Sequence, residues 1–97
     1  MWLAEVGRKK RPVLLLTRSE VLDARSLVTV AEVTTSIRGL AAEVYIDHVQ
    51  VGLELPAVIN CDGLHTVAQA SLTGPIGHVG HDTMERVCSA ISYALGC

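Results

Sequence analysis

The sequence contains no phenylalanine, one tryptophan and two tyrosines, so its core cannot be built from aromatic rings. Burial must instead come from Val, Leu, Ile and Ala, and the β-branched members of this set favour strands. Hydrophobic residues make up 49% of the chain and charged residues 19%, which is typical of a globular protein rather than a disordered one. A chain of 97 residues has room for one core, so residues 1–97 are predicted to form a single domain.

Long hydrophobic runs are also lacking. No apolar stretch approaches the roughly 18–20 residues that a membrane-spanning helix needs. Charged residues follow the N-terminus too soon for a signal peptide. The three cysteines, Cys61, Cys88 and Cys97, are an odd number without paired spacing, which favours reduced thiols. These features predict a cytoplasmic protein.

Positive charge is scarce in most of the chain and concentrated near its start. Residues 1–38 carry seven Lys and Arg against four acids, whereas residues 39–97 carry one Arg against six acids. The net charge of −2 therefore conceals a basic N-terminal portion. This asymmetry predicts a local site for a polyanion; the alternative interpretation of the basic run is a solvated loop.

Short apolar and alternating segments predict strands, and turn residues separate them. Asp62-Gly63 is a turn dipeptide, and Ser19 is placed to cap a short helical turn. The predicted strands cover residues 2–6, 12–17, 27–35, 42–46, 57–60 and 64–67, with a last edge strand at 71–76 and a turn at 7–10.

The C-terminal segment predicts an amphipathic helix. Asp82 is a suitable N-cap with Glu85 three residues later, and Gly96 suits the helix end. One apolar stripe follows from the spacing of Met84, Val87, Cys88, Ile91 and Leu95. The expected fold is mainly β with a C-terminal α-helix: a small, strongly bent barrel or half-barrel with the helix packed on it. Because a small apolar domain often completes its burial at a subunit interface, we expect a homodimer.

Three segments together resemble the MazF/PemK family of toxin endoribonucleases. Trp2 precedes a turn and the stretch Arg11-Pro-Val-Leu-Leu-Leu16; Val28-Thr-Val-Ala-Glu-Val-Thr-Thr35 follows. Asn60-Cys-Asp-Gly-Leu-His-Thr-Val67 is similar to the family's Asn-x-Asp-x-[Ile/Leu]-x-Thr signature. The resemblance covers essentially the whole chain.

The resemblance implies a small SH3-like β-barrel of the CcdB/MazF type that acts as a homodimer. It implies a type II toxin that cuts single-stranded RNA at short sequences without a metal or other cofactor, leaving a 2′,3′-cyclic phosphate and a 5′-hydroxyl, and thereby arrests growth. A MazE-like antitoxin that occupies the RNA groove is the implied partner. The family's active-site Arg and Thr fall on Arg11 and Thr34.

The chemistry of these two side chains suits phosphodiester cleavage. A guanidinium presents a planar fork of donors to two phosphate oxygens, and a Thr hydroxyl can donate to the same phosphate or hold the 2′-hydroxyl. Taken by position alone, Arg11 is also a strand-end arginine reaching solvent, and Thr34 a β-former bonded to backbone. The predicted RNA-binding residues beside them are Arg8, Lys9, Lys10, Thr35, Ser36, Arg38, Asn60, Asp62 and His65.

The general base is not identified by the sequence. His65 is one candidate, because imidazole as a chemical group changes its charge near neutral pH, although a lone histidine is more often structural. Asn60 and Asp62 read base edges or, as we favour for Asp62, cap the turn at Gly63. A metal site of Cys61 and His65 with His78 and His81 lacks the usual spacing, so no metal is expected.

A non-catalytic toxin or binding module on the same barrel is the alternative function. The related gyrase poisons share the fold but depend on a C-terminal tryptophan, whereas this chain ends Ala94-Leu-Gly-Cys97. A third possibility is an SH3-like domain that binds RNA without cutting it.

Overall fold

The computed structural model describes residues 1–6, 9–17 and 26–96. The predicted turn at Ser19 and the residues Arg8 and Cys97 lie outside these ranges. Within them, strands β1 to β5 and one helix, α1, follow each other along the chain. Their bounds are Trp2–Val6, Lys9–Leu15, Leu27–Thr34, Glu43–Ile46, Ala57–Ala68 and, for α1, His81–Leu95.

The five strands form one antiparallel sheet in the order β1-β2-β3-β5-β4. In the described residues the sheet is not closed, although the fold class is the expected one, a mostly antiparallel sheet with a C-terminal helix. Strand β2 begins at Lys9, earlier than predicted, so Lys9 and Lys10 belong to a strand rather than to the expected turn at residues 7–10, whose first two residues lie outside the described ranges. In the register of β1 and β2, Lys10 lies opposite Glu5, and opposite charges across two strands favour their pairing.

The sheet has a different apolar cluster on each face. On the helix side, Leu14, Ala31 and Ile59 pack with Val87 and Ala90 of α1. On the opposite face, Val13, Val28 and Val30 pack with Ala4, and Trp2 lies against them. Trp2 is therefore a partly buried residue at the border of this cluster, and successive residues of β2 and β3 alternate between the two clusters as the pleat requires.

Strand β5 corrects the prediction of two short strands separated by a turn. Ala57–Ala68 is one strand, and its register with β3 shifts between Ala31 and Glu32. The residues predicted as a turn form the irregularity, because a bulge absorbs extra residues without reversing the chain. The local side-chain bond there comes from Asn60, whose Oδ1 accepts from the Asp62 N–H at 3.1 Å, so the predicted capping role of Asp62 is wrong.

The segment predicted as a last edge strand is not a regular strand. A single 3-10 turn covers Gln69–Ser71, and Thr73 then makes an isolated bridge with Leu3 of β1. The two backbone bonds of this bridge are 2.8 Å and 2.9 Å. Nearby Gly74 and Pro75 interrupt further pairing, since proline has no N–H to donate.

The predicted C-terminal helix is confirmed, but its start and its apolar face differ. Gly80 is the N-cap and no side chain caps the helix, while Glu85 pairs instead with His81 at 2.9 Å. Gly96 ends it in the left-handed conformation. Cys88 is exposed and Leu95 is 61% exposed; Ala90 and Ala94 take their place against the sheet because small side chains let the helix approach.

A buried carboxylate organises the connector between β3 and β4. Glu43 accepts backbone N–H groups from Arg38, Gly39 and Leu40 at 2.8–3.2 Å. Burial raises the pKa of Glu43, but these three bonds and the Arg38 guanidinium outweigh it, and the pKa is lowered below its ordinary value.

In the described part of the chain, no helix is long and apolar enough to cross a membrane.

Candidate active site

A cleft of about 500 Å³ opens where β2 and β3 separate. Strand β2 contributes Lys9, Arg11 and Pro12, and β3 contributes Val33 and Thr34, followed by Thr35. The recorded pairing of β2 with β3 ends at Val13 and Glu32. Pro12 precedes Val13 in β2. Because proline has no N–H to donate to a neighbouring strand, β2 and β3 separate at this residue.

Strand alternation places the two predicted catalytic residues on one face. Val13 pairs with Glu32, Arg11 lies two residues from Val13, and Thr34 lies two residues from Glu32. Since every second residue of a strand faces the same side, Arg11 and Thr34 extend from the face opposite the helix. Lys9, two residues further along β2, joins them.

The third wall of the cleft is the loop between β4 and β5. Its lining residues are Gly52, Leu53, Glu54 and Leu55, together with Ala57 at the start of β5. This wall adds a carboxylate, Glu54, to a site that otherwise holds two cations and two hydroxyls. Among the described residues that line the cleft, Glu54 is the single acid.

The Thr34 hydroxyl is fixed from outside the cleft. Its Oγ1 accepts the backbone N–H of Ser36 at 3.0 Å. A hydroxyl has one donor and two acceptor positions, so this bond leaves the Oγ1–H free to donate. The backbone bond foreseen as the alternative to function is therefore present, and it holds the hydroxyl in place while sparing its proton.

The structure brings four of the predicted site residues together: Lys9, Arg11, Thr34 and Thr35. Ser36 takes part through its backbone N–H. Lys10 is exposed and lies on β2 between Lys9 and Arg11, so alternation turns it to the other face. Arg38 is absent from the cleft lining; its side chain is 61% exposed and its Nε lies 3.9 Å from Glu43 Oε2. Arg8 is outside the described residues.

Asn60 and Asp62 lie at the bulge of β5 and His65 lies just after it; none of the three is in the lining of the cleft. Nε2 of His65 is buried and lies 3.3 Å from Oε1 of Glu32, without hydrogen-bond geometry. Gly63 is close to the same carboxylate, since a Cβ there would lie 2.6 Å from Glu32 Oε2. The imidazole therefore faces Glu32, and Glu32 shares its side of β3 with Thr34. His65 is not in the cleft lining as a general base would be.

Glu54 is the site residue that sequence reasoning missed. It lies in a loop of mixed composition, and no motif or spacing marks it. Only the tertiary structure reveals it, because the loop packs against the ends of β2 and β3 where these strands are not paired.

Two other features lie outside the cleft. A larger groove of about 660 Å³ runs between β4 and α1 and includes Tyr45 and Tyr93, but it contains none of the predicted catalytic residues.

Burial, with smaller contributions from Asp62 and Cys88, raises the pKa of the Cys61 thiol to about 11, which suits an inert core residue. Among the described residues, no three His, Cys, Asp or Glu side chains group as metal ligands.

A small antiparallel sheet with one terminal helix carries a cleft lined by a guanidinium and a fixed hydroxyl, and these two groups suit a protein that binds phosphodiesters. The family profile of PemK-like, MazF-like toxins of type II toxin-antitoxin systems matches residues 1–95. The chain belongs to this family, as the three sequence segments predicted.

Individual relatives agree with this assignment. Endoribonuclease MazF3 of Mycobacterium tuberculosis is 46% identical over 86 residues, which are 89% of this chain and 82% of the relative. The probable endoribonuclease MazF5 of the same organism is 33% identical over 98% of this chain and 85% of its own length. The solved structure of the Mycobacterium tuberculosis toxin MazF-mt6 superimposes with a TM-score of 0.91 at 38% identity, covering 98% of this chain and 94% of that one.

Proposed function

We propose that this protein is the toxin of a type II toxin-antitoxin system and cleaves single-stranded RNA. The observation that supports this most directly is the cleft in which Arg11 and Thr34 lie together, with Lys9 beside them. Membership of the toxin family and the endoribonuclease relatives point to the same activity.

The reaction is attack of a ribose 2′-oxygen on the adjacent phosphorus. A bond forms between O2′ and phosphorus, the bond from phosphorus to O5′ breaks, and the products are a 2′,3′-cyclic phosphate and a 5′-hydroxyl. Arg11 neutralises the charge that develops on the non-bridging oxygens, and the Thr34 hydroxyl donates to one of them. Preorganised donors of this kind usually supply the largest single contribution to the rate.

Recognition of the RNA begins with charge. Lys9 adjoins Arg11 on the same face of β2, so it meets the phosphate next to the one that is cut. Thr35 follows Thr34 in the cleft lining and supplies a hydroxyl to the same backbone. Because the described cleft residues include no aromatic side chain, base stacking contributes little there.

The test is cleavage of a long single-stranded RNA transcript by the purified protein with a chelator present. We expect discrete cuts whose upstream ends carry a cyclic phosphate. Arg11→Ala should reduce the cleavage rate by about 10²–10³-fold, because it removes a transition-state donor. Arg11→Lys, which keeps the charge but loses the fork, should be intermediate.

The outcome of the same experiment separates the alternatives. A folded Arg11→Ala protein with full activity would contradict the site. Intact RNA under all conditions would instead favour the non-catalytic binding module, and RNA binding without turnover would favour the simple RNA-binding domain.

The working form is a homodimer in the cytoplasm, inhibited by a cognate MazE-like antitoxin that covers the RNA groove. The toxin family and the exposed apolar side chains Leu27, Val49 and Leu55 support association with a second protein surface. Sedimentation analysis should give twice the chain mass. Co-expression of the toxin with the antitoxin encoded beside it should restore growth and give a stable complex.

A further inference from the structure

We propose that Glu54 is the general base of the cleavage reaction and accepts the proton of the attacking 2′-hydroxyl. This inference rests on the proposed endoribonuclease activity and supplies the group that the sequence leaves unidentified. Glu54 lines the same cleft as Arg11 and Thr34 and is the one carboxylate among the described lining residues.

The loop that carries Glu54 is fixed by its backbone. The Leu53 N–H donates to His48 O at 2.7 Å, and the Val51 N–H donates to Asp47 O at 3.3 Å. Val51 is buried, 2% exposed. These contacts fix the chain up to the residue immediately before Glu54, so its carboxylate starts from a defined position.

Two glycines allow this loop to lie against the segment that precedes α1. Gly52 has φ +81°, and a Cβ there would lie 2.8 Å from Ile76 O. A Cβ on Gly77 would clash with Val51 O, which is a backbone atom that cannot move aside easily. Close backbone packing on both sides therefore holds the wall of the cleft that Glu54 occupies.

The other ionisable groups of the cleft fit this assignment. The charged residues that β2 contributes to the lining of the cleft are Lys9 and Arg11, and β3 contributes only uncharged residues. Arginine stays protonated in proteins and is a poor base, and the Nε2 of His65 faces Glu32 rather than the cleft. Within the described residues, Glu54 has no recorded ion pair, so its oxygens are available to a substrate hydroxyl.

The step balances without any additional reagent. The 2′-hydroxyl proton moves to a Glu54 oxygen while O2′ forms its bond to phosphorus. The bond from phosphorus to O5′ breaks, O5′ takes a proton from water, and Glu54 later returns its proton to solvent. The neighbouring Arg11 and Thr34 hold the non-bridging oxygens during this exchange.

The test compares cutting with binding in Glu54→Gln. The cutting probe is a short RNA oligonucleotide that spans a mapped cut site, measured under single-turnover conditions. The binding probe is the same oligonucleotide with a 2′-deoxy sugar at the cleaved position, which cannot react. Loss of a general base should slow cutting by about 10²–10⁴-fold. Binding should stay equal or become tighter, because a negative charge beside the phosphate has been removed.

Two further measurements identify the role. If the cleavage rate of the wild type falls at acid pH because the base is protonated, this acid limb should be absent in Glu54→Gln. Added formate should restore part of the activity of Glu54→Ala by placing a carboxylate in the vacated space. Glu85→Gln, the same change of charge on the exposed face of α1, should leave cutting and binding unchanged.

Three results would overturn the assignment. If Glu54→Gln cuts RNA at the wild-type rate, Glu54 is not the general base. The proposed nuclease activity would still stand if Arg11→Ala is inactive. If the cleavage rate and the affinity for the 2′-deoxy oligonucleotide fall together, Glu54 is a structural residue of the loop. Faster cutting with tighter binding would show that it acts only through its charge. Failure of the nuclease proposal itself would appear separately, as a wild type that cuts no RNA.

Discussion

At the scale of the residue, the site depends on how each polar atom is held. Thr34 illustrates this, because its Oγ1 is fixed by the Ser36 N–H at 3.0 Å while its proton remains free. Arg11 is exposed and stands beside it on the same face. A fixed hydroxyl donor costs no reorganisation when charge develops on the phosphate.

Replacing Thr34 separates the hydroxyl from the shape of the side chain. Thr34→Val keeps the β-branched shape but removes both the donor and the acceptor for Ser36. We expect RNA cleavage to slow by about 10²–10³-fold, the range for loss of one oxyanion donor. Thr34→Ser should retain most of the rate. Single-turnover cleavage measures both variants, and circular dichroism checks that they fold; equal rates for the Val and Ser variants would contradict a hydroxyl role.

Arg11 and Thr34 could be predicted as site residues only from the resemblance of their segments to the toxin family, because position alone makes Arg11 a strand-end arginine and Thr34 a β-former bonded to backbone. Lys9 could be foreseen only as part of a basic run, since its membership of β2 depends on pairing with β1. Glu54 could not be foreseen, because its place in the lining of the cleft comes from the path of a loop. The approach of His65 to Glu32 could not be predicted for a similar reason. The bulge in β5 sets the face of the sheet on which the imidazole lies.

At the scale of the element, the connector between β3 and β4 depends on Glu43. Its carboxylate accepts three backbone N–H groups that have no strand partners. The N–H groups of residues 38–40 would lose a charged acceptor if this side chain were protonated. The pKa of Glu43 is accordingly lower in the folded protein than its ordinary value of 4.5.

The pH dependence of stability should reveal this carboxylate. A group whose pKa is lowered on folding contributes stability above its unfolded pKa, and that contribution is lost as the pH falls through the folded pKa. The free energy of unfolding of Glu43→Gln should therefore be lower than that of the wild type near neutral pH, and the difference should shrink below pH 4.5. Urea titrations at a series of pH values measure it. A constant difference across this range would contradict the assignment, and Glu85→Gln is the exposed control.

The packing of α1 on the sheet should be sensitive to residue size on one side only. Ala90 is 7% exposed and packs in the core, whereas Leu95 is 61% exposed. Ala90→Leu overfills the interface and should cost about 1–3 kcal/mol. Leu95→Ala, a surface change, should stay within about 0.5 kcal/mol. Urea unfolding compares the two; a larger loss in Leu95→Ala would mean that this end of the helix is covered, for example by a second subunit.

At the scale of the whole molecule, the protein carries a net charge of −2 yet is proposed to bind a polyanion. The two facts agree because the basic residues concentrate in the N-terminal portion and two of them line the cleft. Acids of the remaining chain, such as Asp82 and Glu85, surround the other groove. The positive electrostatic potential that attracts RNA is therefore confined to the neighbourhood of the cleft.

Salt dependence measures how many phosphates this local field contacts. For single strands, the logarithm of the binding constant falls with the logarithm of salt by about 0.7 for each phosphate neutralised. Lys9→Ala should reduce this slope by about 0.7 and weaken binding of the unreactive 2′-deoxy oligonucleotide. Arg86→Ala removes the same charge from α1, outside the cleft lining, and should leave the slope unchanged. Fluorescence anisotropy over a salt series measures both variants. Equal changes in slope would mean that RNA follows the helix as well as the cleft, so that the binding surface extends beyond the residues assigned to it.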